Sequence, residues 1–564
     1  MCGHRRLMVD GLTALALVWS LQQALILYAS GLACSLQTVL VAALVFTAAW
    51  PPTLCCALAV RVLASLSLWP HAWESHYWCA TTDFTLLLAL VTRLAEKRSL
   101  SLLAAERTAA VTDASRIVRY QVAVYYLSAA FFKLNTSFLD HRYSCASPYL
   151  AQILAAYVPQ TLATPADLAL IVKIAPPMVL IGELVLGTAL LMAAAGRGGP
   201  LAAPLGVSLA LLLHLGIAVT PPPNNIGAFS VIMACRLAFF VPPDALALAM
   251  RLPSTSAELI GTALMLSSAA IATSATRIAT PASASSGAEG QMSIMFFGGV
   301  DWSVPTFVVM GAAVLRGLSL ASYSRPPPIV AAARSTRFTS TLGPLMLVVA
   351  LAHAFVGPIL GLQDLGASNM YSNLRVVGGS NHLLLPMNLL RLSGATVRIE
   401  ASTSAQLNSI HPGEISSVIS PRARNVLTLS GHSARQFNWG MGRVLGAWAL
   451  PNPTGPFVRY TVPSVQLRRM LEEAREAAEP FELEYTVLDN ALGDEAWRIG
   501  SKGVHRVRVS LNGCVVLLRD LFDRMCGEDE LANVPLTMWE RTLGAWNPYP
   551  IVEGMSEEMH CFGP

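Results

Sequence analysis

Apolar residues in this chain come in long unbroken blocks rather than in alternation, and eleven of those blocks approach the length that crosses about 30 Å of hydrocarbon as a helix. They fall at residues 11–31, 35–49, 53–69, 79–95, 118–136, 168–194, 201–219, 225–241, 256–276, 303–322 and 341–362. The pattern predicts a multi-span α-helical membrane bundle of about 9–11 transmembrane helices. The first block follows His4-Arg5-Arg6, has a long apolar stretch and no obvious small-residue cleavage site, so it reads as a retained helix rather than a signal peptide. Near Leu392 the pattern changes. Runs such as Thr396-Val397-Arg398-Ile399-Glu400 and 504–510 alternate like half-buried strands, and 464–478 repeats apolar residues at helical spacing beside a Glu/Arg-rich face. The chain therefore divides into a transmembrane domain over 1–390 and a C-terminal extramembrane domain, α+β or β-rich, over 391–564.

Composition supports lipid as the solvent. Hydrophobic residues make up 54% and charged residues only 13%, with a mean hydropathy of +0.52, whereas soluble chains carry roughly a quarter charged residues. The net charge of +4 over 564 residues gives no reason to expect nucleic acid. Two stretches, residues 279–289 and Pro326-Pro327-Pro328, have the composition of flexible connectors.

Charge orients the bundle, because cytoplasmic loops near helix ends are enriched in Lys and Arg. With Arg5 and Arg6 inside, alternation of the eleven blocks also puts the basic residues of 93–119, Arg197, Arg251 and 316–337 inside. The opposite, luminal or extracytoplasmic side then receives 137–165, the turn Pro221-Pro222-Pro223-Asn224-Asn225 and the C-terminal domain. An endoplasmic reticulum membrane is compatible with that orientation. None of the ten cysteines forms a CxxC pair or a zinc-spaced cluster, so no metal is expected; Cys145, Cys514, Cys526 and Cys561 are free to pair as disulfides if their side is oxidising. Asn135-Thr136-Ser137 is a formal glycosylation sequon close to the membrane.

Ionisable groups at bilayer depth cost roughly 2.5–3.5 kcal/mol each on insertion scales, which makes them candidates for function. Lys133, Lys173, Glu183 and His214 lie there, with His76 at a helix mouth. Of the 38 basic residues only four are Lys, which leaves 34 Arg and singles out Lys133 in its aromatic helix end. A desolvated Lys can give up its proton and serve as a base, and Arg cannot. The competing reading is a Lys that snorkels to the interface. Glu183 must be protonated or paired, with Lys173 or a polar group of another helix.

These residues also carry a resemblance. The stretch 125–153, with Phe132-Lys133-Leu134-Asn135, Phe138-Leu139-Asp140, Tyr143-Ser144 and Tyr149-Leu150, resembles the lysine-bearing segment of the vitamin K-dependent gamma-carboxylase family and its microbial relatives, the HTTM domain proteins. Gly182-Glu183-Leu184, His214 and Asn225-Ile226-Gly227-Ala228-Phe229 are similar in order and spacing. Met370-Tyr371-Ser372-Asn373-Leu374-Arg375 with Gly378-Gly379-Ser380-Asn381-His382 resembles the loop after the last span of the microbial members. Together the blocks cover most of residues 70–385.

The resemblance implies a base catalyst. A lysine matching Lys133 starts oxygenation of reduced vitamin K or a related quinone, and the strong base so formed takes a proton from a glutamate side chain that then adds carbon dioxide. It implies His76 as an assisting histidine and Glu183, His214 and Asn225 as the quinone pocket, with a protein or peptide substrate. The chain departs from the animal enzyme in having Phe132-Lys133 where that enzyme has tandem lysines, and in lacking its much larger luminal portion. Two readings follow: a quinone-dependent, carboxylase-like membrane enzyme, or a non-catalytic membrane scaffold with a luminal interaction domain. The first expects Lys133 in a lipid-accessible cavity shared with His76, the second a closed, salt-bridged interface. Neither an internal repeat nor paired broken helices point to a transporter.

Overall fold

The computed structural model describes residues 10–29, 50–67, 74–221, 227–250, 296–297, 300–301, 303–323 and 338–362, and a series of segments between 372 and 552. The candidate spans at 35–49 and 256–276, both connector stretches and Asn225 lie outside the described residues.

Most apolar blocks appear as helices close to their expected limits. These are α1 (Gly11–Ala29), α2 (Pro51–Ser67), α3 (Glu74–Lys97), α4 (Ala104–Phe132), α9 (Ala202–Val219), α10 (Gly227–Leu237), α12 (Ser303–Tyr323) and α13 (Gly343–Ile359). Short helices α5 (Thr136–Leu139), α6 (Ala146–Tyr157) and α11 (Pro243–Ala249) connect them. Five described helices are long and apolar enough to cross a membrane: 75–97, 175–194, 202–219, 303–322 and 338–359. Many of their side chains, such as Ile181, Leu212 and Val348, stay exposed although apolar. That is the surface expected where hydrocarbon rather than water is the neighbour.

The block 168–194 is not one helix. It divides at Ile174 into α7 (Pro165–Lys173) and α8 (Ala175–Ala194), because Pro176 and Pro177 lack the N–H a continuous helix would need and suit a first turn instead. α7 opens on a capping box in which Thr164 and Asp167 satisfy each other's backbone N–H. The helix bearing Lys133 is also longer than expected, 29 residues or about 43 Å. Its two ends differ. The first turns carry ion pairs, Arg93–Asp113 and Arg107–Asp10, both at 2.6 Å, and Lys133 caps the other end.

The C-terminal region builds a six-stranded antiparallel sheet in the order β10-β6-β3-β7-β8-β9. Its strands are β3 (Thr396–Ser402), β6 (Tyr460–Pro463), β7 (Phe481–Leu488), β8 (Val504–Val509), β9 (Val515–Leu517) and β10 (Ile551–Val552). Two ribbons, β1 (Phe296–Phe297) with β2 (Val300–Asp301) and β4 (Ile410–Glu414) with β5 (Arg435–Trp439), stand apart from it. Alternation decides the faces. Ile399 lies level with Tyr460 and Tyr485, all fully buried, and Arg398 lies level with Thr461 and Thr486 on the other face. There Arg398, only 2% exposed, pairs with Glu400 at 2.6 Å, and Glu400 also accepts from Thr486 and Arg459. Helices α14 (Pro421–Ser430), α15 (Ser464–Glu476) and α16 (Met538–Leu543) complete the region, α15 packing on β6 and β3.

Candidate functional site

α4 stops at Phe132 because the chain turns immediately into α5, whose first turn is capped by Asn135: its Oδ1 accepts from the Phe138 N–H at 2.8 Å. Lys133 is the C-cap of α4, only 6% exposed, and its side chain lies between helices rather than reaching out. α8 runs antiparallel to α4. At Gly187 the absent side chain lets it approach Leu127 so closely that a Cβ would sit 3.0 Å from Leu127 Cγ. One turn away on α8, Glu183 then comes level with Lys133. Lys133 Nζ lies 3.0 Å from Glu183 Oε1 and 2.9 Å from Oε2, and 5.7 Å from the centre of the Phe138 ring.

The segment 380–385 closes over this helix end. Asn381 O accepts from Thr136 N at 3.1 Å and Leu383 N donates to Leu134 O at 2.9 Å, a two-bond antiparallel clip. Asn381 Nδ2 reaches Asn135 Oδ1, Ser137 Oγ and Asn373 O, and Asn135 Nδ2 donates to Phe132 O and Ser372 O. His382 Nδ1 accepts the N–H groups of Leu384 and Leu385, so Nε2 carries the ring proton and donates to Phe131 O at 2.9 Å. Asn135 is fully buried and has its amide engaged twice, so the formal sequon is closed to glycosylation in the folded chain.

Two turns deeper on α4, Tyr126 Oη is 2.8 Å from His214 Nε2 of α9, and Glu183 is near enough to Tyr126 to act on it electrostatically. Rings enclose this pair. His214 packs edge-on against Phe229 at 5.0 Å, Tyr125 lies between Phe229 and Trp78, and Trp78 meets His353 of α13 at 5.5 Å. Lys133, Glu183 and His214 therefore belong to one buried neighbourhood, with Tyr126 joining them.

His76 is elsewhere. Among the described residues its hydrogen-bond partner is Arg61 of α2, with Nη2 3.1 Å from Nδ1. Lys173 ends α7 with its side chain exposed, so the partner of Glu183 is Lys133 and not Lys173. Lys133 does not snorkel outward; it is buried against Glu183 and the Phe138 ring.

Several polar residues escaped the sequence reading. Asp83 of α3, 2% exposed, pairs with Arg236 of α10 at 2.8 Å and accepts from Trp19 of α1 at 3.2 Å. The rule that singled out Lys133 applies equally to these two, since both lie inside expected spans. The same rule covers His353, which lies inside the expected span 341–362; Tyr126 gave no such signal, because it reads as an ordinary member of an aromatic helix end. Cys145 is disulfide-bonded, whereas Cys55, Cys56, Cys79 and Cys235, all in helices, are free.

Comparison with known proteins reaches the C-terminal region. Residues 380–540 match a family described as a domain of unknown function (DUF8388). The matched DUF8388 segment begins in the clip over α4 and ends in α16, taking in α14 and most of the sheet. No curated protein and no solved structure gives a significant match.

Proposed function

We propose that this chain is a multi-pass membrane protein that acts as a scaffold, its bundle holding the DUF8388-matching domain against one membrane face. The observation that carries this reading is the closed Lys133–Glu183 pair beneath the 380–385 clip. The lysine expected to act as a base is neutralised by a carboxylate, and the loop that opens the C-terminal region seals the helix end. His76, the assisting histidine of the enzymatic reading, bonds to Arg61 instead. The bundle has about 9–11 spans, a cytoplasmic N-terminus and a luminal or extracytoplasmic C-terminal domain, as the distribution of basic residues implies. A disulfide at Cys145 supports that orientation, since such bonds persist on the oxidising side.

A second reading draws on the Tyr126–His214 hydrogen bond beside Glu183. One ion pair suffices to tie α4 to α8, whereas a Tyr–His pair adjoining a Lys–Glu pair in an aromatic, water-poor interior can move protons. In this reading the chain is a quinone-dependent, carboxylase-like enzyme, related to the gamma-carboxylase and HTTM proteins its sequence resembles. Lys133 would be the base, reduced vitamin K or a related quinone the cofactor, and a protein or peptide carboxylate the substrate.

Quinone epoxidation by membranes containing the wild-type chain or Lys133→Ala, supplied with reduced vitamin K and labelled carbon dioxide, separates the two. The scaffold reading expects no epoxide above empty membranes from either chain. Epoxide that depends on Lys133 would replace it with the enzymatic reading, and label in protein would extend that reading to carboxylation.

A further inference from the structure

A second polar cluster, buried at Asp83 and Arg236 and half-buried at His76 and Arg61, lies among α1, α2, α3 and α10, separate from the Lys133–Glu183 pair. On α3, His76, Cys79 and Asp83 recur at i, i+3 and i+7 and so share one face. α1 contributes Trp19 and Gln22, α2 contributes Arg61, and α10 contributes Arg236. Trp19 and Arg236 both reach Asp83 Oδ1, and Gln22 Nε2 lies 3.8 Å from Cys79 Sγ. Arg61, bonded to His76, is near enough to Asp83 to act on it electrostatically.

The charges in this cluster do not cancel. Among the described residues, two guanidinium groups, Arg61 and Arg236, stand against the single carboxylate of Asp83, and the hydrogen-bond partner of Arg61 is an imidazole nitrogen that brings no negative charge when it accepts. The hydrogen bonds are incomplete as well. Arg61 Nε and Arg236 Nε are buried without a partner among the described residues, as are the acceptors Asp83 Oδ2 and Gln22 Oε1, while Arg236 Nη1 donates to Cys235 Sγ at 3.4 Å. An excess cation among apolar helices is far from its lowest free energy unless a counter-charge joins it. We propose that this cluster is a binding site for one small monovalent anion, held by the guanidinium groups of Arg61 and Arg236 beside Asp83. A single negative charge balances the surplus guanidinium, and an ion of halide or small carboxylate size supplies acceptors for the unused N–H groups. Nothing in this inference depends on whether Lys133 is catalytic.

The test is the thermal unfolding of the purified, detergent-solubilised full chain at constant ionic strength, with bulky gluconate replaced stepwise by chloride, bicarbonate or acetate. The wild type is expected to gain several degrees in a saturable way, and the anion that saturates at the lowest concentration is the preferred occupant. Arg61→Gln removes the surplus charge and leaves the Arg236–Asp83 pair intact, so it should lose the response and unfold near the temperature of the anion-loaded wild type. Arg61→Lys keeps the charge and should keep a saturable response. No saturable response in the wild type, or an equal response in Arg61→Gln, overturns the proposal.

Discussion

At the scale of single residues, the Lys133–Glu183 pair carries the sharpest prediction. The side chains are only 8% and 10% exposed, so removing one charge leaves the other buried without compensation. Glu183→Gln is expected to destabilise the bundle by about 3–5 kcal/mol, and Lys133→Met combined with Glu183→Leu to recover most of that loss. Thermal unfolding of the single and double variants in detergent measures both. A double variant no more stable than Glu183→Gln would mean that the pair does more than satisfy itself. Part of this was legible in advance: depth in an apolar block marked Lys133 and Glu183 as needing an explanation. Which residue answers Glu183 was not, because Lys173 is the basic neighbour in sequence whereas Lys133 lies 50 residues away, and the break at Ile174 leaves Lys173 on a separate helix.

At the scale of elements, the clip ties the end of α4 to the C-terminal region through His382. Desolvation holds the His382 imidazole below its usual range, outweighing the opposite pull of the bond to Phe131 O. A histidine whose folded pKa is depressed binds fewer protons than the unfolded chain. Its share of the stability is complete above the ordinary histidine value of about 6.5 and is lost as pH falls through the folded value. Protonating Nδ1 also removes the acceptor for the Leu384 and Leu385 N–H groups. Amide protection at Leu383–Leu385, taken relative to the intrinsic exchange rate at each pH, is therefore expected to fall as pH drops below that range, and to fall more than at the Arg398 amide in β3. Equal loss of protection at both sites would show that acid loosens the whole chain and not the clip. The sequence marked Asn381-His382 through a resemblance alone, since a loop's partner lies more than 240 residues away and leaves no local pattern.

At the scale of the whole molecule, the question is how the C-terminal region is held against the helices. Besides the clip, α14 packs against α6 and α7, where Val426 and Leu427 meet Ala151, Ala155 and Leu168. Arg422 completes the joint. Its Nη1 donates to Ala155 O at 3.0 Å and Val158 O at 2.5 Å, carbonyls at the end of α6, and its Nη2 to Ala163 O at 3.3 Å in the turn before α7. Arg422→Ala should leave the bundle's own melting unchanged and make the segment around α14 more sensitive to limited proteolysis. If cleavage there stays as slow as in the wild type, the apolar contacts alone hold the joint.

Taken alone, the sequence determined that much of the chain forms long apolar helices, where several of them begin and end, and where an alternating region starts. Those features depend on hydropathy and periodicity, which act over one or two turns and need no partner. Tertiary structure decided that α7 and α8 are separate, that Glu183 answers Lys133 while His76 answers Arg61, and that Asp83 pairs with Arg236 while Arg61 acts on it electrostatically. It decided these because a buried charge is explained by whatever meets it across a helix interface, and that meeting depends on small residues such as Gly187 that set how closely two helices approach.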